Sequence, residues 1–311
     1  MRRPRQPAVA LLALALLAGG CGLGAGRTPT GVSLVITRGF GAQTLSSLPD
    51  PREQGQETAI GLLLRNANVK TSDGGGFVES IDGRAGGYEG SDPVGWFYYV
   101  NGVQASRGAA DTNIGEGNHV WWDLHDWSQA EEVPAVVGSF PEPFLNGVEG
   151  RLLPVRVQCA VPASAPCRLV AARLRAVGVR STTTSLPAPA GLPPAIAVLV
   201  GTWSQVRRDP GAMSLERGPR ASGVYALPRP GGGTIALLDA RGQVTRTLTG
   251  SAGLIAATRA GHEPPEWVVT GTDAAGLERA ARGLDEATLH DRFAVALAAG
   301  GSVAALPQPG P

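Results

Sequence analysis

The most informative stretch of the chain reads Gly95-Trp-Phe-Tyr-Tyr-Val-Asn-Gly102. Aromatic and β-branched residues are continuous over residues 96–100 and predict a strand. Asn101-Gly102 follows directly, and this dipeptide is the strongest two-residue hairpin signal because both central turn residues take positive φ. The stretch therefore predicts one arm of an antiparallel hairpin and its turn.

The sequence on both sides of this hairpin predicts a sheet that carries one helix. Residues 32–37, 77–81 and 119–124 have the composition of strands, and residues 60–67 place apolar side chains at i, i+3, i+4 and i+7. The order strand, helix, further strands indicates an α+β domain over residues 31–128. We expect a β-grasp-like arrangement, in which one helix packs on a mostly antiparallel sheet.

Three blocks of this region resemble a known family. They read Gly74-Gly-Gly-Phe-Val-Glu-Ser-Ile-Asp-Gly83, then residues 95–102, then Gly115-Glu-Gly-Asn-His-Val-Trp-Trp122. In this order they resemble the transcobalamin-like C-terminal domain, known in bacteria as DUF4430, over residues 31–128. That family includes the smaller domain of the vitamin B12 carriers transcobalamin and intrinsic factor, which closes over cobalamin held against a helical barrel. The resemblance implies a corrinoid ligand, although this sequence has nothing like that barrel.

Aromatic residues are concentrated in the same region, which holds seven of the sixteen aromatic side chains of the chain within 32 positions. Flat rings are suited to stacking on a planar ligand such as a tetrapyrrole or a sugar. Strand alternation sends Trp96 and Tyr98 to one face and Phe97 and Tyr99 to the other, so at least half of the rings are expected in the core. The candidate ligand-binding residues are Trp96, Phe97, Tyr98 and Trp121.

Alternation on the strand at 119–124 also places His119, Trp121, Asp123 and His125 on one face. Two imidazoles and a carboxylate are suited to zinc or copper, and one imidazole is suited to approaching a corrin cobalt. The alternative is a half-buried edge strand with a solvated polar face, because the strand is expected to end near Leu124. We therefore predict no resident metal site.

A second region of different character follows a linker at residues 129–150 that is rich in proline and glycine. Strands alternate with helices over residues 151–306, which predicts an α/β domain whose role the sequence does not assign. A disordered tail is expected at 307–311. The predicted strands cover residues 151–159, 196–200, 223–227, 234–238, 267–270 and 293–297, and the predicted helices cover residues 166–177 and 274–284.

The first residues have the pattern of a bacterial lipoprotein signal. Three arginines precede an apolar run at residues 8–18, and Leu17-Ala-Gly-Gly-Cys21 resembles a lipobox. We expect a signal peptide at 1–20, an acylated Cys21, a tether at 21–30 and a protein held by lipid at the extracytoplasmic face of the cell membrane. The alternative is ordinary cleavage and release.

Two further cysteines, Cys159 and Cys167, remain once Cys21 is acylated. An even pair in an exported protein predicts a disulfide. The alternative, a metal site built on two cysteines, has no histidine near it in the sequence.

Composition and motifs exclude several classes of function. The formal net charge of the 311 residues is +1, so the chain lacks the basic footprint of a nucleic-acid-binding protein. The sequence contains neither GxSxG nor HExxH, and we assign no catalytic residue and no cofactor. The leading hypothesis is a lipoprotein that binds or presents a ligand, a corrinoid such as cobalamin, for a membrane uptake system. The alternative is a non-enzymatic surface module for structure or protein interaction.

Overall fold

A computed structural model of the chain describes residues 31–72 and 76–310. The predicted signal peptide, the tether, Cys21, Pro311 and part of the first family block lie outside the described residues. The described part mixes helices and strands, which confirms the α+β class. Among these residues, no helix is both long enough and apolar enough to cross a bilayer.

The described residues of 31–128 are the first segment, and residues 151–310 are the second segment. The described part of the first segment contains one helix and eleven strands. In chain order they are β1 Ser33–Arg38, β2 Gln43–Leu48, β3 Glu57–Thr58, α1 Ala59–Asn66, β4 Val69–Ser72, β5 Phe77–Ile81, β6 Arg84–Ala85, β7 Gly87–Glu89, β8 Asp92–Val100, β9 Val103–Gln104, β10 Asn113–Ile114 and β11 His119–Asp126.

The main sheet of this segment has the strand order β2-β1-β11-β8-β7, with β9 also paired to β8. Strands β1 and β11 are parallel, and the other pairs are antiparallel. The hairpin turn between β8 and β9 lies at Asn101 and Gly102, with φ of 54° and 73°, as the dipeptide predicts. Strand β11 is therefore a central strand, which corrects the expected edge position.

Helix α1 covers one face of this sheet. Thr58 caps it by accepting a hydrogen bond from the Gly61 amide, and Ile60 and Leu63 are buried as the periodicity predicts. Leu64 is instead 51% exposed. The buried residues Ala59 and Leu62 shift the packed arc of this short helix away from Leu64, because successive residues are rotated by about 100°.

The second segment is built on a seven-stranded sheet of order β13-β12-β14-β19-β18-β20-β21, in which β13, β12, β14 and β19 are parallel. A three-stranded sheet of order β15-β16-β17 lies apart from it in the pairing. The elements are β12 Val155–Cys159, α2 Ala165–Ala176, β13 Ser181–Ser185, β14 Ile196–Thr202, α3 Trp203–Val206, α4 Pro210–Ser214, α5 Pro219–Ser222, β15 Ala226–Pro228, β16 Thr234–Leu238, β17 Val244–Thr249, β18 Gly253–Thr258, β19 Glu266–Gly271, α6 Ala274–Arg282, α7 Glu286–Leu289, β20 Ala294–Leu297 and β21 Val303–Leu306.

The cysteine pair forms a disulfide, as expected. Cys159 ends β12 and Cys167 lies in the first turn of α2, with their Cα atoms 6.0 Å apart. Both residues are buried. Ser164 caps α2 by accepting a hydrogen bond from the Cys167 amide at 3.3 Å. The disulfide and the cap together hold the start of the helix against the end of the strand.

The two segments share one hydrophobic core. Val35, Tyr99 and Trp121 on the second face of the first sheet pack in the same cluster as Trp203 and Phe293 of the second segment. The change in sequence character near residue 129 predicts two domains joined by a linker. That change reflects a difference in composition and turn content, and it does not mark a break in packing.

The connector at residues 129–150 and the C-terminal residues are more ordered than expected from composition. Val133 and Val136 belong to the shared core, and Phe140 is also buried. Gln308 forms a parallel bridge with Asp239, and its amide donates to Leu238 O at 2.7 Å. Disorder predicted for 307–311 therefore does not hold at Gln308, because this residue continues the backbone pairing of β16.

One pair of neighbouring acidic residues predicts a pH dependence of stability. Glu266 begins β19 beside Asp209, the N-cap of α4, and Glu266 Oε1 is buried without a hydrogen-bond partner. Burial first, and then the charge of Asp209, raise the pKa of Glu266 to about 8. The folded state thus binds this proton more tightly than the unfolded state, in which the carboxyl has its ordinary value of 4.5.

We expect the free energy of unfolding to fall as the pH rises from about 4.5 to about 8, by up to about 5 kcal/mol from this residue. The stabilisation from the bound proton is complete below pH 4.5 and is lost above about pH 8. Urea denaturation at pH 5 to 9 measures the effect, and Glu266→Gln should flatten the curve and raise stability at pH 8. An unchanged slope in that variant would assign the pH dependence to other groups.

Candidate functional site

The structure places three of the four candidate ligand-binding rings inside the core. Trp96, Tyr98 and Trp121 are all buried. Trp96 Nε1 donates to Arg84 O at 2.9 Å, and the Tyr98 hydroxyl donates to Arg107 O at 2.6 Å. Their polar atoms are satisfied within the protein and their rings offer no free face. The rings expected to form a platform are therefore buried, because both faces of the sheet are covered.

Phe97 leads to a different site. Its ring is partly buried and stacks on His125, with centroids 4.4 Å apart and planes at 18°. Phe40, from the turn between β1 and β2, stacks on the opposite side of the imidazole at 4.4 Å. His125 is thus held between two aromatic rings. It lies within β11, which extends to Asp126 and not only to the predicted end near Leu124.

Asp123 orients this imidazole from a fully buried position. His125 Nδ1 donates to Asp123 Oδ1 at 2.8 Å, and the amides of Phe40 and Gly41 donate to the two carboxylate oxygens at 2.9 Å each. The Thr37 hydroxyl makes a further, close contact with Asp123 Oδ2. Four donors therefore satisfy the buried carboxylate, which is the condition under which such a group is tolerated. Any polar contact of the ring with a ligand must be made by Nε2.

A groove of about 980 Å³ opens over Phe40 and His125. One wall comes from the turn after β1 and the start of β8, and the other from the β16–β17 hairpin and residues 302–310. The groove therefore lies between the two segments and includes residues from both. His125 lines the groove but is only 2% exposed, so it lies at the floor and not at the rim.

Charged side chains surround the groove, and most of them are paired. Arg38 contacts Glu89 at 3.4 Å, and Arg241 contacts Asp92 at 2.7 Å, the second pair joining the two segments. Both pairs are solvent-exposed, and such pairs contribute less than about 1 kcal/mol. Arg246 also lines the groove, and within residues 31–72 and 76–310 its side chain has no ion-pair or hydrogen-bond partner. It is the cation that remains available for an anionic group of a ligand.

His119 lies apart from this site, although it shares a strand face with His125. Its Nδ1 pairs with the Ser33 hydroxyl at 2.8 Å, and its Nε2 is buried without a partner. Burial, followed by the nearby His290, lowers the pKa of His119 to about 4, so the ring is neutral near pH 7. Among the described residues, no group of three or more His, Cys, Asp or Glu side chains is arranged to hold a metal ion.

These observations define a two-segment α+β protein with a ligand-sized groove over a buried Asp–His pair. Residues 56–126 match the family model described as a domain of unknown function, DUF4430. The match begins just before β3 and ends with β11, so it includes Asp123 and His125. It supports the DUF4430 assignment for this part of the chain. A search of curated proteins found no match.

Proposed function

We propose that the protein is an extracytoplasmic lipoprotein, anchored through acylated Cys21, that binds a corrinoid in the groove over His125 and presents it to a membrane uptake system. The observation that carries the proposal is the groove itself, about 980 Å³ in volume, with His125 fixed by Asp123 in its floor. Ligand pockets have volumes of roughly 300–1,000 Å³. This groove is at the upper end, which suits a ligand as large as a corrin.

The choice of ligand class rests on the resemblance of residues 31–128 to the transcobalamin-like domain. The parallel pair β1 and β11 at the centre of a sheet covered by α1 supports a β-grasp-like arrangement for this segment. Binding is proposed at the groove between the segments, because the rings of Trp96, Tyr98 and Trp121 are covered. The second segment would then supply the wall that a helical barrel supplies in the animal carriers.

The charges of the groove suggest how cobalamin would be held. Cobalamin carries a phosphodiester in its nucleotide loop, and Arg246 is a guanidinium without a partner among the described residues at the groove. A guanidinium can donate two parallel hydrogen bonds to such an anion. The amide groups around the corrin ring need donors and acceptors, which Gln243 and the carboxylates at the rim of the groove provide.

Titration of the mature chain with cyanocobalamin and with dicyanocobinamide, which lacks the phosphodiester, tests the proposal. We expect cyanocobalamin to bind with a Kd of about 1 µM, or about −8 kcal/mol, by calorimetry and visible absorbance. Arg246→Gln should weaken the binding of cyanocobalamin about 10-fold, because hydrogen bonds to charged groups contribute about 1.5–3 kcal/mol. It should leave the binding of dicyanocobinamide unchanged. Arg180→Gln, an exposed arginine that does not line the groove, is the matched control.

His125→Gln tests the floor of the groove, and His262→Gln, an exposed imidazole outside it, is its control. His125→Gln should weaken the binding of both corrinoids, and His262→Gln should weaken the binding of neither. No saturable binding of either corrinoid by the wild-type chain would overturn the proposal. It would leave the non-enzymatic surface module for structure or protein interaction as the better hypothesis.

A further inference from the structure

Trp127 is the exposed member of an otherwise buried set of tryptophans. The chain has six tryptophans, and five of them are at most 7% exposed, whereas Trp127 is 38% exposed. Its ring edge lies over Gly95. A Cβ atom built on this glycine would lie 3.5 Å from the Cδ1 and Nε1 atoms of the Trp127 indole. Isolated exposed apolar residues are common on protein surfaces. The position of this ring, and not its exposure alone, indicates a role.

Trp127 is one of the residues that line a cleft of about 480 Å³ between the connector and α5. The polar side chains of Glu131, Glu132 and Arg220 line the same cleft. Within the described part of the chain, these three side chains and the Trp127 indole have no ion-pair or hydrogen-bond partner. Four residues with polar groups able to contact a ligand therefore line one cleft, and none of these polar side-chain groups is bound within the described part of the chain.

Arg259 in the same cleft shows the contrast. Its guanidinium donates to Glu149 at 3.1 Å and to the carbonyl oxygens of Glu263 and His262, and its side chain is 3% exposed. It has the contacts of a structural arginine that closes the back of the cleft. Arg220 is exposed and has no such contacts.

We propose that this cleft binds a saccharide through stacking on Trp127. The face of a pyranose ring presents C–H groups, which pack on the electron-rich face of an indole, while its hydroxyls need both donors and acceptors at the edge of the ring. Glu131 and Glu132 accept such hydrogen bonds and Arg220 donates them. The carboxylates repel an anionic ligand and the guanidinium repels a cationic one, so the cleft favours a ligand without net charge.

The saccharide site is separate from the groove over His125. The residues that line the cleft and those that line the groove do not overlap. Sugar binding and corrinoid binding can therefore be measured separately, and a variant can lose one of them while it keeps the other. For a protein at the cell surface, such a cleft would provide contact with a glycan.

The experiment titrates the mature chain with cellohexaose, N-acetylchitohexaose and mannohexaose, following tryptophan fluorescence and calorimetric heat. We expect at least one of them to bind with a Kd on the order of 0.1–1 mM, because most of the ligand stays in water. The bound sugar should protect fluorescence from quenching by acrylamide. Because the other five tryptophans are buried, the quenched fraction reports Trp127.

Trp127→Ala should raise the Kd at least about 10-fold, and Trp127→Phe should retain part of the affinity because it keeps a flat ring. Tyr88→Ala, which removes an aromatic ring 76% exposed on β7, is the matched control and should bind as the wild type does. Near-ultraviolet circular dichroism verifies that each variant is folded. No saturable signal with any of the three sugars, or equal affinity in Trp127→Ala, overturns the saccharide site, whatever the corrinoid titration shows.

Discussion

Replacing Trp121 with alanine is expected to lower the free energy of unfolding by about 3–5 kcal/mol and to destabilise both segments together. The ring is fully buried, packs edge-on against Phe293 of the second segment at 5.2 Å and lies 5.9 Å from Tyr99. Its Nε1 donates to the Thr37 hydroxyl at 2.7 Å, so the substitution removes a hydrogen bond as well as packing. A cavity at this position weakens the contact between the segments, not only the first sheet.

Chemical denaturation with hydrogen exchange measures this effect segment by segment. Amides of β11 and of β20 should lose protection together in Trp121→Ala, because they border the same cluster. Trp127→Ala is the control for loss of an indole, and its cost should be smaller than that of Trp121→Ala because Trp127 is 38% exposed and lies outside the shared core. Separate transitions, with the second segment as stable as in the wild type, would show that the shared core is not cooperative.

Local signals in the sequence predicted several elements of both segments well. Asn101-Gly102 requires positive φ at two successive positions, and few other structures than a tight hairpin meet that requirement. The strand at 77–81 and the strand at 234–238 lie at the predicted residues, because a pleated strand repeats its pattern every two residues. The helix at 274–284 begins after Asp273 as expected, since its carboxylate accepts a hydrogen bond from the Gly276 amide.

The covering of the sheet faces was not predictable in the same way. Alternation shows which side chains share a face of β11, but it carries no information on what packs against that face. Six of the eight residues of β11 are buried, charged ones included. Strand β13, with the sequence Ser-Thr-Thr-Thr-Ser, was missed for the opposite reason. It is an edge strand with no apolar alternation, so only its pairing with β12 identifies it.

The candidate site depends on contacts that a linear pattern does not contain. Asp123 and His125 are two residues apart on one strand face, and the sequence placed them together. Phe40 comes from a turn more than 80 residues earlier, and Arg246 from a hairpin more than 100 residues later. The groove exists because the two segments pack on each other, and that packing follows from the shared core and not from any motif.

Replacing Cys21 with serine is expected to move most of the protein from the membrane fraction to the medium. The residue follows an apolar run of 11 residues at 8–18, shorter than the roughly 20 that a spanning helix needs. In the proposed topology, attachment comes from acyl chains on this sulfur, at about 0.8 kcal/mol per buried methylene. Serine cannot form the thioether, so the variant loses that contribution entirely.

Partitioning in a detergent that separates into two phases measures the change, with the wild-type chain in the detergent phase and the variant in the aqueous phase. The double variant Cys159→Ser with Cys167→Ser is the matched control, because it also replaces cysteine by serine but leaves Cys21 available for acylation. It should remain in the detergent phase even where loss of the disulfide lowers its stability. Retention of Cys21→Ser in the membrane with its first twenty residues uncleaved would show that those residues are themselves the anchor, and the lipoprotein topology would then have to be abandoned.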